Sequence, residues 1–165
     1  MARPGPAVQA LLELLDEAYG HRSWHGPNLR GSLRGLDAAQ ACWRPGPGRH
    51  SAWELVVHAA YWKYAAWRRI TGEKRGSFAR AGSNWFAAEA GPSAVRWRTD
   101  LKLLADCHDR LRAAVATLGD EDLVRRLPRG RGTAGWVVRG AAAHDLYHAG
   151  QIQLLKRLMK GHEAR

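Results

Sequence analysis

Three histidines are the residues of this chain best placed to do chemistry: His144 and His148 in HDLYHAGQ, and His58 in WELVVHAAYW. Residues four apart on an α-helix stand about 6 Å apart along its axis and on nearly the same face. Two imidazoles so placed can turn toward one divalent ion, with metal–nitrogen bonds of about 2.0–2.1 Å. A third histidine from a facing helix completes three neutral nitrogen ligands. It leaves positions open to water or substrate, which separates a working site from a closed structural one.

Spacing by itself is weak. With eight histidines in 165 residues, chance supplies an i,i+4 pair in roughly one such chain in three, so context has to decide. His21 and His25 form a second such pair, but Gly20 and Gly26-Pro27 enclose it with helix-stop signals. His144 and His148 lie deep in a long periodic segment that enforces their geometry.

The elements that must position these residues follow from periodicity and punctuation. A first helix runs from Ala7 to about Tyr19, with Val8, Leu11, Leu12, Leu15 and Tyr19 on one stripe. A Gly/Pro-rich connection follows from Gly20 through Gly48, with a short turn at LRGLDAAQAC. Ser51, with Glu54 three residues on, forms a capping box that opens a second helix reaching Thr71 before Gly72. Residues 73–92 read as a polar loop with Trp85 and Phe86 tucked against the helices. A third helix starts near Ser93. Its seam of Trp97, Leu101, Leu104, His108, Leu111, Val115 and Leu118 ends at Gly119. Thr133 caps a fourth helix that reaches about Lys160 before Gly161. Its seam is Val137, Ala141, His144, His148, Ile152, Leu155 and Met159, and the second helix carries Leu55, His58, Tyr61 or Trp62, and Ala65. All three histidines therefore point inward. The fold class expected is all-α, a four-helix bundle with a long first connection, as one domain over residues 1–165. Nothing reads as an alternating strand.

Composition narrows the function classes. Eight tryptophans and 45% hydrophobic residues exclude a disordered chain, and no apolar stretch is long enough to span a membrane. The first twenty residues read as an amphipathic helix rather than a signal peptide, because Gln9, Glu13 and Asp16 break the apolar run. Cys42 and Cys107 form neither CxxC nor a disulfide framework and read as small buried hydrophobes, which fits a reducing, cytoplasmic location. The formal charge of +11 attracts anionic partners. Yet the arginines are scattered, and only RRLPRGR, Arg125 to Arg131, is dense, so a solvated basic surface accounts for them better than nucleic-acid binding.

The motifs HSAWELVVHAAYW (residues 50–62) and HDLYHAGQIQLLKR (residues 144–157) resemble those of the DinB/YfiT-like superfamily of metal-binding four-helix bundles. WHGPNLRGSLRGLDAAQACWRP, residues 24–45, and the Trp97 region resemble one branch of it, so the likeness covers most of the chain. The resemblance implies a down-up-down-up bundle, often a homodimer, with nickel, zinc or iron held by His58, His144 and His148. Several relatives are bacterial enzymes that transfer small-molecule thiols, or isomerases that use such thiols. A low-molecular-weight thiol is therefore an implied co-substrate.

Other residues carry two readings each. Gln151, one turn beyond His148, could reach metal-bound water or serve as a hydrogen bond behind the ligands. Glu54, one turn before His58, could act as a general base, but the Ser51 capping box explains it without catalysis. His25 could approach the metal from the long loop; packing on the loop surface accounts for it as well. His108 lies on the apolar seam of the third helix and reads as a satisfied core histidine rather than a fourth ligand. His50 reads as exposed, and Tyr61, Trp62, Tyr147 and Trp136 as core or pocket wall. A thiol or water activated at the ion would attack an electrophile, and Arg44, Arg49 or the 125–131 loop could hold an anionic group. The functions in competition are a metal-dependent thiol transferase or hydrolase of a small substrate, a non-catalytic metal-stabilised protein, and a nucleic-acid-binding stress protein.

Overall fold

A computed structural model describes residues 4–86, 91–128 and 132–163. The described residues are all-α: α1 (Pro6–Tyr19), α2 (Leu29–Ser32), α3 (Ala38–Cys42), α4 (Ala52–Thr71), α5 (Ala94–Val115) and α6 (Ala134–Glu163). A 3₁₀ turn, Asp120–Val124, precedes α6. Among the described residues the only extended pairing is an isolated bridge between Arg126 and Thr133. None of these helices is long and apolar enough to cross a membrane.

Each long helix begins where a side chain satisfies its free N–H groups. Ser51 and Glu54 make the reciprocal box at the start of α4, Ser93 caps α5, and Thr133 Oγ1 accepts from Trp136 N at 3.2 Å on α6. α1 has no local cap. Asp120, more than a hundred residues later, accepts from Ala7 N at 3.2 Å and Val8 N at 2.9 Å. At the other end of α4, Gly72 adopts φ 80°, the left-handed conformation that glycine takes without steric cost, and its N–H returns to Arg68 O.

Two helix ends differ from expectation. α5 stops at Val115, short of Leu118, because the chain tightens: Thr117 Oγ1 donates to Ala114 O at 2.8 Å and Leu118 N donates to Val115 O at 3.1 Å. α6 continues through Gly161 to Glu163. A glycine in a terminal turn costs only about 1 kcal/mol, and nothing downstream forces the chain to reverse there. The long first connection is more ordered than a single turn. It holds α2 and α3, and α2 lies against α6, where Lys156 Nζ donates to Ser32 O and Arg34 O at 3.1 and 2.6 Å.

α4 packs on both α5 and α6, and α6 packs on α1. One apolar cluster joins Trp53, Val56 and Ala60 to Trp97 and Leu104; a second joins Leu12 and Leu15 to Leu111, Val115 and Val138. Between them runs a buried polar chain that the sequence reading did not anticipate. Lys63, 1% exposed, bonds Asp145 and lies 3.3 Å from His108 Nδ1. His108 stacks on Tyr19 with centroids 3.9 Å apart, and its Nε2 is 3.8 Å from Asp16, which Arg112 grips with two hydrogen bonds. Four helices thus meet around one buried ammonium. His108 is a core histidine, held by the Lys63 contact at Nδ1 and the stack on Tyr19.

Candidate metal centre

His58 faces α6 because it falls on the buried stripe of α4, with Leu55 and Ala65. His144 and His148 face α4 from successive turns of α6, on the stripe that also buries Val137 and Ile152. The three rings meet. His144 Nε2 lies 3.1 Å from His58 Nε2 and 3.0 Å from His148 Nε2. The three could hold one metal ion, with ligand atoms all within 4.8 Å of one another.

Their outer nitrogens decide what the inner ones present. His58 Nδ1 sits 2.8 Å from Asn84 O, an atom that can only accept, so Nδ1 carries the proton and Nε2 is a bare lone pair. His148 Nδ1 sits 2.6 Å from Gln151 Oε1, while Gln151 Nε2 donates to Tyr147 OH at 3.2 Å, so the same tautomer follows. Two lone pairs therefore point at His144 Nε2, which has at most one hydrogen to offer. The donor set lacks a proton and suits a cation.

Burial also keeps these rings neutral. It pushes His144 down to about 3, with His148 and His58 adding repulsion, and His148 down to about 4 against the opposing Gln151 hydrogen bond. His58 is lowered as well, mainly by burial, although the Asn84 carbonyl pulls the other way. Neutral imidazole is the metal-binding form.

Asn84 and Trp85 complete the surroundings, and neither role is visible as a spacing in the sequence. Asn84 adopts φ 64°, a left-handed conformation that asparagine tolerates better than most residues, and this turns its carbonyl onto His58. Its side chain accepts from Trp62 Nε1 at 3.0 Å. Trp85 lies parallel to His58 at 3.8 Å and parallel to His50 at 3.6 Å between centroids. Two rings so close to one indole cannot share a face without clashing, so Trp85 is sandwiched between them. His50 is exposed as expected, yet it forms the outer layer of that stack.

The remaining candidates fall elsewhere. Gln151 stands behind His148. Glu54 is buried with its oxygens engaged: Oε2 accepts from Ser51 N at 2.9 Å and Oε1 from Arg44 at 2.7 Å. Those partners belong to the helix start, not to the imidazole set. His25 is exposed on the loop and outside the group of three. Of the cationic candidates, Arg44 is committed to Glu54 and Arg49 O, Arg125 pairs with Asp122, and residues 129–131 lie outside the described residues. Burial raises both thiols, Cys107 to about 11, so neither cysteine is an activated nucleophile.

No curated protein and no solved structure matches the chain. The family model of the DinB superfamily matches residues 21–152, well over half of the sequence and all three histidines. The chain belongs to the DinB superfamily.

Proposed function

We propose that this protein is a divalent-metal-dependent enzyme with the four-helix-bundle architecture of the DinB/YfiT type. In this reading it transfers a small-molecule thiol to an electrophile, or hydrolyses a small substrate with metal-bound water. The observation that carries the reading is the convergence of three Nε2 atoms, two of them bare lone pairs, within 3.0–3.1 Å of the central His144. His58, His144 and His148 would hold the ion; zinc, nickel and iron all suit three imidazoles. An ion there would supply a Lewis acid and would lower the pKa of a thiol or water brought to it.

The chain's own residues set the conditions. Asn84 and Gln151 fix the ring tautomers and keep three nitrogens aimed at one point. Trp85 covers the outer face of His58 and excludes water from it. Gln151 enters as a positioning residue. Glu54 stays with the capping box, where its two oxygens are already satisfied.

The competing readings have less support. Binding to nucleic acid would rest on the +11 charge, but the arginines are scattered and only Arg125 to Arg131 form a dense run. A purely structural ion would serve to join α4 and α6, yet these helices already pack along their apolar stripes. A homodimer remains part of the proposal, with Tyr147, Leu154 and Leu158 exposed on the outer face of α6 as the surface a second copy would cover.

The test is elemental analysis of the purified protein and of His58→Ala, His144→Ala and His148→Ala. Stoichiometric metal in the parent and its loss from all three variants are expected, together with metal-dependent consumption of a thiol or a hydrolysable substrate. Full metal retention in His144→Ala sinks the site.

A further inference from the structure

Next to the histidines, α4 and α6 leave a narrow groove of about 140 Å³. Small residues, Ala65, Gly140 and Ala141, line it together with two indoles, Trp62 and Trp136. His144 lines the groove beside Trp62, with ring centroids 6.1 Å apart, and Arg69 lines it farther along α4. Along α4, Trp62 and Arg69 are seven residues apart, so the groove runs for about 10 Å.

Both indoles are large apolar rings left in water, Trp62 at 40% and Trp136 at 53% exposed. Neither is loose. Trp62 is tied by its Nε1 to Asn84 Oδ1, and the backbone at Gly132 lies so close to Trp136 that a Cβ there would come within 2.5 Å of the indole. Half-exposed indoles beside small residues offer aromatic surface to a flat group. A cavity of about 150 Å³ accommodates one benzene ring. Arg69 has contacts of its own, but a guanidinium carries five donors and an anion can add to them.

Resting on the function proposed above, we infer that this groove seats the electrophilic substrate and that this substrate is an aromatic acid. One aryl ring lies between Trp62 and Trp136, its acidic group meets Arg69, and its reactive end faces His144. The groove accepts a single ring with a short acidic arm and is too narrow for fused polycyclic ligands.

The test uses phenylacetate as probe, with phenylacetamide and cyclohexylacetate as controls, titrated into the full chain by calorimetry in zinc-loaded and metal-free forms. Gly140→Leu fills the groove: a Cβ at this position meets no atom within 4 Å, and leucine favours the helix more than glycine does. Phenylacetate is expected to bind the parent more tightly than either control. Gly140→Leu should weaken it at least about tenfold while zinc affinity stays unchanged, and Arg69→Gln should weaken phenylacetate about tenfold but leave phenylacetamide unaffected. Equal phenylacetate binding by parent and Gly140→Leu, or cyclohexylacetate binding as tightly as phenylacetate, overturns the inference. So does a dimer that Gly140→Leu splits while the parent binds no probe, an outcome that gives the groove to a second copy. Failure of the parent to bind zinc, nickel or iron sinks the function reading alone, because phenylacetate on the metal-free chain still reports on the groove.

Discussion

His58 and Asn84 are joined by a single hydrogen bond of 2.8 Å between Nδ1 and a main-chain oxygen, across 26 residues of sequence. That bond selects the tautomer whose free nitrogen faces α6. It depends on one left-handed residue in a loop, so the three-histidine cluster is coupled to the backbone conformation at Asn84.

Substitutions at Asn84 therefore separate backbone from side chain. Asn84→Gly keeps the carbonyl in place and should change zinc affinity by only a few-fold. Asn84→Val forces a β-branched residue into the left-handed region at a cost of about 1–2 kcal/mol, and turning the carbonyl away should lower zinc affinity about 10–100-fold. Calorimetric titration with zinc distinguishes the two.

Gln151 makes the matching contact for His148. Gln151→Leu removes the acceptor at 2.6 Å and frees the ring to rotate or change tautomer. A loss of about 10–100-fold in zinc affinity is expected, with little change in the stability of the metal-free protein. Unchanged affinity would show that packing alone orients His148.

The buried pair Lys63–Asp145 predicts a stability defect unrelated to metal. Lys63→Met leaves a fully buried carboxylate whose Oδ1 already lacks a partner among the described residues. Loss of about 3–5 kcal/mol is expected in chemical denaturation, and Lys63→Met combined with Asp145→Leu should recover much of it. A double variant as unstable as the single one would contradict this account.

His108 predicts acid sensitivity. Burial, reinforced by Lys63, pushes its folded-state value down to about 3, against the attraction of Asp16. Between about pH 6.5 and 3 the unfolded chain binds a proton there that the folded chain does not, so stability falls as pH falls through that window. Each pH unit well inside it is worth up to about 1.4 kcal/mol. His108→Phe retains the stack on Tyr19 and removes this component, so the metal-free variant should lose stability less steeply below pH 6.5 than the parent.

Much of the candidate site was legible in the sequence because it depends on local rules. Helical periodicity alone placed His58, His144 and His148 on inward faces, and caps at Ser51 and Thr133 fix where those faces begin. Gly72 marked a real helix end because its left-handed φ is needed there, whereas Gly161 did not, because the helix simply runs through it. Spacing also left Glu54 with two readings, and the structure shows the capping one formed.

Only the tertiary structure decided which partners those faces meet. The Asn84 carbonyl, the Trp85 stack between His50 and His58, and the Asp120 cap on α1 join residues with no periodic relation in the chain. The packing of α4 on α6 encloses Lys63 and Asp145 together, two charges that no local spacing pairs. The physical reason is the same in each case. A helix's register is set by neighbours three and four residues away, but a ring's tautomer, a buried charge's partner and a groove's walls are set by whichever atoms folding brings within about 3–4 Å.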